Sequence, residues 1–202
     1  MSTQKVKVSV ADPTAMGLFG LAMVTLVASS QKMGLTDGTL LVVPWAVFLG
    51  AFAQLYASVQ DSKLGNTFGA TAFGGYGFFW LAVALTWLFQ SGAFGEGLAA
   101  MADGRQLGVA FIGYLIFSLF MTVGSASVSK VLFAIFVFID LLFIGLALNT
   151  LAGSEFGRYL AAYSELAISL LSFYGAAAAV LNKHLGRQLL PTGKPFMKRA
   201  EA

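Results

Sequence analysis

Apolar positions in this chain are not spread in an alternating or helical stripe. They are gathered into long runs separated by short polar breaks. Six runs stand out, at roughly 16–31, 39–58, 68–90, 107–125, 129–150 and 159–182. About 20 mainly apolar residues make a helix long enough to cross the ~30 Å hydrocarbon layer of a bilayer. The breaks carry the polar groups: Gln31 to Asp37, then Gln60, Asp61, Ser62, Lys63 and Gly65, then Ser91 to Gln106 with Glu96, Asp103 and Arg105. Ser125 to Lys130 is tight, and Gly153 to Arg158 contains Glu155. The pattern predicts an all-α integral membrane protein with six transmembrane helices per protomer in one polytopic domain over 1–202. A short polar segment, 1–12, precedes the helices, and a basic tail, 183–202, follows them.

Composition supports the bilayer as solvent. Hydrophobic residues make up 58% of the chain, charged residues 10%, and the mean hydropathy is +0.81. Soluble domains carry about 25% charged residues, so this chain lacks the polar groups to cover a surface in water. The net charge of +3 does not indicate nucleic acid, because the basic residues flank apolar runs rather than forming a patch on a soluble domain. They read as topology. With six spans, one side receives Lys5, Lys7, Lys63, Lys130, Lys183, Arg187, Lys194, Lys198 and Arg199, and the other only Lys32, Arg105 and Arg158. The excess places both termini in the cytoplasm of a multi-pass plasma membrane protein. The run from Met16 has no convincing cleavage pattern behind it and reads as a retained helix.

There are no cysteines, and the one histidine, His184, lies in the basic tail. That excludes thiolate chemistry, a multi-histidine metal site and Ser-His-Asp catalysis within the spans. No cofactor or metal is expected, and the chain does not read as an enzyme. Polar groups inside the spans are few, and each is informative. Gln54 is late in the second span, and Asn66, Thr67 and Thr71 open the third. Tyr76 follows, with Asp140 and Asn149 in the fifth span and Glu165 in the sixth. Thr67, Thr71, Gly74 and Phe78 share a helix face by their spacing, beside a stripe of Gly69, Phe73, Tyr76 and Trp80. Hydroxyls beside an aromatic stripe suit a narrow path for a small solute, or the threonines bond their own backbone and the aromatics pack. Asp140, among Phe138, Ile139, Leu141 and Leu142, costs roughly 2.5–3.5 kcal/mol on insertion scales. It is either a proton-linked group or one end of a hydrogen bond between helices. Glu165 is expected to reach lipid headgroups. The 23 glycines are expected mainly to let helices pack closely.

The third span carries a resemblance. Asn66-Thr67-Phe68-Gly69-Ala70-Thr71-Ala72-Phe73 followed by Gly74-Gly75-Tyr76-Gly77-Phe78-Phe79-Trp80 resembles the signature of the acetate uptake transporter family, which includes bacterial succinate–acetate permeases. Asp12-Pro13-Thr14-Ala15-Met16-Gly17-Leu18 resembles the family's Asn-Pro-Ala-Pro-Leu-Gly-Leu box. Phe117 to Met121, Gly124, Leu181-Asn182, Gly186-Arg187, Leu190-Pro191 and Gly193 continue the likeness to the end of the chain. Asp12, Ala15, the Gly74-Gly75 pair and Asp140 depart from the family pattern. The resemblance implies a homo-oligomer, a hexamer with one path per protomer, in a prokaryotic plasma membrane. It implies acetate and succinate as substrates. It places a hydrophobic constriction at Leu21, Tyr76 and Ile139, with Leu21 replacing a bulkier aromatic, and it suggests Gln54, Asn66, Thr67 and Thr71 for polar contacts.

A small carboxylate is consistent with the residues. No fixed cation lies in the middle of a span, so a hydrated dianion finds no partner at an apolar neck, while the protonated acid crosses more cheaply. Transport is expected as a proton-linked permease or an anion channel. The alternatives are a channel for urea, ammonia or water, or an acetate sensor without flux.

Overall fold

The computed structural model describes residues 10–197. Lys5, Lys7, Lys198 and Arg199, and with them the outer parts of the N-terminal segment and the basic tail, lie outside the described residues. Among the described residues the chain is helical and contains no strand. The helices are α1 (Thr14–Lys32), α2 (Val43–Trp45), α3 (Gln54–Lys63), α4 (Thr67–Gln90), α5 (Glu96–Met101), α6 (Arg105–Ser125), α7 (Lys130–Ala152) and α8 (Glu155–His184). A π-helical stretch, Ala46–Ala53, joins α2 to α3 without a break, since its flanking residues Trp45 and Gln54 keep helical dihedrals. Five helices are by themselves long and apolar enough to cross a membrane; the α2–π–α3 segment is the sixth. The protein is therefore an all-α integral membrane protein with six spans.

Local sequence explains the helix ends. Asn66, Ser129 and Ser154 cap α4, α7 and α8 by accepting hydrogen bonds from the backbone N–H groups of Gly69, Leu132 and Gly157, each satisfying a donor that the first turn leaves free. Thr14 N–H donates to the Asp12 carboxylate at the start of α1, 3.0 Å away. Gly153 ends α7 in the left-handed region, φ 62°, where a residue without Cβ costs least. The helix α5 was not apparent in the sequence. It sits in the longest break, with Glu96 in its first turn, where a carboxylate favours the helix dipole.

Each span packs on its neighbours in the order α6, α7, α8, α1, α2–π–α3, α4. Side chains close the ring between α4 and α6, where the Phe117 ring lies over Gly75 and the Tyr114 hydroxyl donates to the Gly75 carbonyl at 3.0 Å. Large apolar residues also cover the outside of the ring, among them Phe48, Phe52, Phe78, Ile116, Phe120 and Leu170, each more than half exposed. Such a girdle is expected against lipid or another copy of the chain, and far exceeds the apolar patches of proteins in water.

Both described chain ends lie at one end of the bundle, which we call the inner end. Val131 N–H donates to the Thr192 carbonyl, and Phe196 N–H to that of Ala126. Asn182 fastens the segment after α8 by three hydrogen bonds to Leu189 and Leu190. Lys32 and Arg158 meet at the opposite, outer end, where the Arg158 guanidinium donates to the Lys32 carbonyl.

Candidate permeation path

Two cavities follow the inside of the ring, one from each end. The inner cavity, of about 100 Å³, begins beside Thr14, Asp61, Asn66 and Phe68 and ends against Leu21, Gln54, Tyr76 and Ile139. The outer cavity, of about 140 Å³, opens beside Gln31, Lys32 and Thr39 and ends on Phe79, Trp80, Phe111 and Leu142. Tyr76 and Phe79 are less than one helical turn apart on α4, so the cavities share a wall. That wall is aromatic. The Tyr76 ring stacks on Phe143 at 6.5 Å between centroids, and Phe143 meets Phe79 edge-on at 5.3 Å. Phe117 and Phe136 flank Tyr76 at 5.4 and 6.0 Å. The Tyr76 hydroxyl donates to Ser118 Oγ, 3.1 Å away, which fixes the ring across the axis.

The structure thus brings Leu21, Tyr76, Ile139, Gln54 and Asn66 to one cavity. It takes Thr67 and Thr71 elsewhere. Both are exposed on the outer surface of α4, as is Phe78, so the hydroxyl face lies outside the ring and cannot line this path. The spacing was right and the face was wrong, because α4 is apolar all round and its buried side is marked by Gly69, Tyr76 and Trp80. Asn66 touches the cavity, but its amide is committed: Oδ1 caps α4, and Nδ2 donates to Asp61 Oδ1 at 2.9 Å.

Asp61 is the cavity residue that sequence reasoning left in a loop. It is 2% exposed, and its Oδ2 has no partner. Gln54 is sealed as well; its Nε2 donates to the Gly50 carbonyl at 2.7 Å, which leaves Oε1 unpartnered. The signal was present: Asp61 is seven residues beyond Gln54, on the same face of one helix. Two residues that line the inner cavity therefore carry buried acceptors without a donor. A buried acceptor left unmatched costs about 1–3 kcal/mol, so each favours a ligand that carries a donor.

Glycines of the sequence motifs serve as contact points. A Cβ at Gly17 would enter the ring of Phe73, and one at Gly69 the Asp61 carboxylate. At Gly74 it would meet Ser58 Oγ at 2.9 Å, at Gly75 the Phe117 ring at 2.6 Å, and at Gly77 Leu55 Cγ at 2.8 Å. Pro13 is buried and accepts from the Gly17 N–H, while Asp12 is exposed.

Asp140 lines neither cavity. It stands behind the aromatic wall, where its Oδ2 accepts from the Thr122 hydroxyl at 2.7 Å and ties α7 to α6; its Oδ1 has no partner. Glu165 does not reach headgroups. It is 2% exposed and forms an ion pair with Lys32, 2.9 Å away, because α8 packs along α1 and sets the last residue of α1 opposite it. A carboxylate removed from water requires such a partner. Elsewhere at the outer end, hydrogen bonds from Arg105 hold the exposed Asp103 carboxyl down at about 2, so Asp103 stays ionised at any pH where uptake is measured.

A ring of six membrane helices with two end-on cavities and an aromatic wall between them defines a multi-pass membrane protein built around a path for a small solute. The comparisons with known proteins agree: the model of the GPR1/FUN34/yaaH family matches residues 2–192, and the chain belongs to that family. It is 33% identical over 186 residues to the succinate-acetate/proton symporter SatP of Escherichia coli (strain K12), covering 91% of this chain and 96% of that one. It is 31% identical over 157 residues to acetate permease A of Emericella nidulans, covering 73% of this chain and 52% of that one. The solved structure of the bacterial acetate channel SatP superposes with a TM-score of 0.85 at 32% identity, covering 92% of this chain and 100% of that one.

Proposed function

We propose that this protein moves acetate, and more slowly succinate, across a prokaryotic plasma membrane with a proton accompanying the acid. The observation that carries the reading is the inner cavity, closed at one end by an apolar neck and furnished with two unmatched acceptors, Gln54 Oε1 and Asp61 Oδ2. A carboxylate ion meets the Asp61 carboxylate there and is repelled. A carboxylic acid offers its O–H to either acceptor and exposes only a small apolar body to the neck. With a carboxyl pKa near about 4.3, roughly one molecule in 500 is neutral at pH 7, and about ten times that fraction at pH 6. Purified protein in liposomes should take up labelled acetate faster when the outside is acidified. Propionate should compete, and urea should not. Uptake that is flat between pH 7 and pH 6, or that urea blocks, removes this reading.

Asp140 fits a positioning role. Asp140→Asn retains an oxygen to accept from Thr122 and is expected to keep the full pH dependence of uptake. Loss of that dependence would return Asp140 to the proton path. The exposed Thr67, Thr71 and Phe78 on α4 suit contact between copies better than lipid, since lipid offers a hydroxyl no partner. This supports a homo-oligomer, and we assign it as the hexamer that the family resemblance implies. The excess of basic residues at the inner end supports a cytoplasmic location for it.

A further inference from the structure

Within the spans, one carboxylate among the described residues is held by an opposite charge from another helix, and the inner cavity does not involve it. Glu165 on α8 accepts from Lys32 Nζ at 2.9 Å, at the mouth of the outer cavity. An ammonium has three N–H donors. One serves Glu165, and a second points at the Ala28 carbonyl at a long 3.5 Å. Away from this pair the cavity is lined by Phe79, Trp80, Phe111 and Leu142, which are apolar. The space is therefore polar and cationic at the rim and apolar at the floor, the shape of a short-chain carboxylate with its alkyl end pointing inward.

We propose that the outer cavity is a binding site for short-chain carboxylates, in which Lys32 takes the substrate's carboxylate in place of Glu165, and Glu165 takes a proton from the outer solution as it is displaced. This rests on the carboxylate reading above and gives the incoming acid its first site. With Glu165 ionised, the pair is neutral and a second carboxylate meets as much repulsion as attraction. With Glu165 protonated, the charge of Lys32 is free for the substrate. Proton and carboxylate then each strengthen the other's binding, a coupling that is reciprocal by necessity. No covalent bond changes; one proton passes from water to the Glu165 carboxylate.

The neighbouring charges are compatible with this. On α8, Arg158 lies about two helical turns before Glu165 and pairs with the exposed Glu155 at 3.6 Å. From α1 the facing group is Lys32 itself. From α7 the cavity receives Leu142, Leu146 and Thr150, none of them charged. The loop after α1 places Asp37 in an adjoining cavity that shares Thr39 and Trp87 with this one. Glu165 is thus the carboxylate in contact with Lys32, and an ion pair that only stapled α1 to α8 would leave ligand binding indifferent to its protonation.

Trp80 and Trp87 line the site, and the third tryptophan, Trp45, lies in the adjoining cavity. In a Trp45→Phe background in detergent, acetate can be titrated by tryptophan fluorescence at pH 7.5 and pH 5.5. Binding to the otherwise unchanged chain should tighten on acidification by roughly fivefold or more. Glu165→Gln should bind at pH 7.5 as tightly as the parent does at pH 5.5 and lose the pH dependence; such a gain cannot arise from misfolding. The double variant Lys32→Gln, Glu165→Gln, neutral at both positions, should lose binding at both pH values. A Glu165→Gln protein that follows the parent's pH profile, or a double variant that binds like the parent, overturns the proposal. If binding behaves as expected while liposomes pass no acetate, the transport reading fails and the site stands; flux without this binding pattern gives the reverse.

Discussion

Leucine in place of Gly145 is expected to remove the folded protein altogether. At this point α7 and α8 touch backbone to backbone. A Cβ on Gly145 would lie 2.6 Å from the Ala161 nitrogen and 2.7 Å from the Gly157 carbonyl oxygen. On the other helix, a Cβ on Gly157 would lie 2.8 Å from the Gly145 carbonyl oxygen and 2.9 Å from the Asn149 nitrogen. No flexible side chain stands in the way that could swing aside, so the helices must separate. Extra methylenes in a packed core cost about 1–3 kcal/mol even where side chains can adjust, and the whole margin of a folded domain is about 5–15 kcal/mol. Separation here would also pull Ile139 and Phe143 on α7 from the aromatic wall. The measurement is the monodisperse fraction after detergent extraction: Gly145→Leu should leave almost none. Gly113→Leu, where a Cβ meets nothing within 4 Å on an exposed face, should extract like the parent. Equal behaviour of the two would refute close approach of α7 and α8.

This contact shows what could be read in the chain and what could not. Six spans were legible because lipid demands an uninterrupted apolar run, and a run of about 20 residues has few other uses. The inner faces were not legible, because a helix with lipid on one side and protein on the other is apolar on both. The period that marks a core face in water is therefore absent. That is why the spacing of Thr67 and Thr71 suggests a path although both are exposed on the outside of α4, while Tyr76, on a stripe with Gly69 and Trp80, is buried and lines the inner cavity. Gln54 and Asp61 could be paired only by following one helix through Lys63, beyond the apolar run. The π-helical stretch Ala46–Ala53 left no signal in residue type. The Lys32–Glu165 pair joins residues 133 positions apart; in the sequence each reads as an end-of-span charge, and only the packing of α1 along α8 brings them together. Asp140 is conspicuous in the sequence as an aspartate among apolar residues, but its partner, the Thr122 hydroxyl 2.7 Å away, is not legible there.

Tyr76→Ala is expected to change what passes through the protein more than any other single substitution. The Tyr76 ring is 5% exposed and lines the inner cavity of about 100 Å³, while Phe79, three residues on, lines the outer one of about 140 Å³. Removing the Tyr76 ring takes one ring out of the wall between them and thins the apolar barrier. An apolar wall of this kind favours a small neutral acid, because burying an unpaired carboxylate in an apolar neck costs several kcal/mol or more. Each ~1.4 kcal/mol taken from such a barrier speeds passage tenfold. The larger, doubly charged succinate gains most from the opening, so its uptake relative to acetate should rise on the order of tenfold or more, and the pH dependence of acetate uptake should flatten as ions begin to pass. Tyr76→Phe separates the ring from its hydroxyl. It keeps the wall and deprives only Ser118 Oγ, which is fully buried, of its donor. A cost of about 1 kcal/mol is expected from that loss, with selectivity retained. Some stability will go with the alanine, as deleting a buried aromatic ring removes about 3–5 kcal/mol, but a selectivity ratio measured on the reconstituted fraction is independent of how much protein survives. An unchanged succinate-to-acetate ratio together with an intact pH profile in Tyr76→Ala would mean that the aromatic wall is packing and that the acid crosses elsewhere.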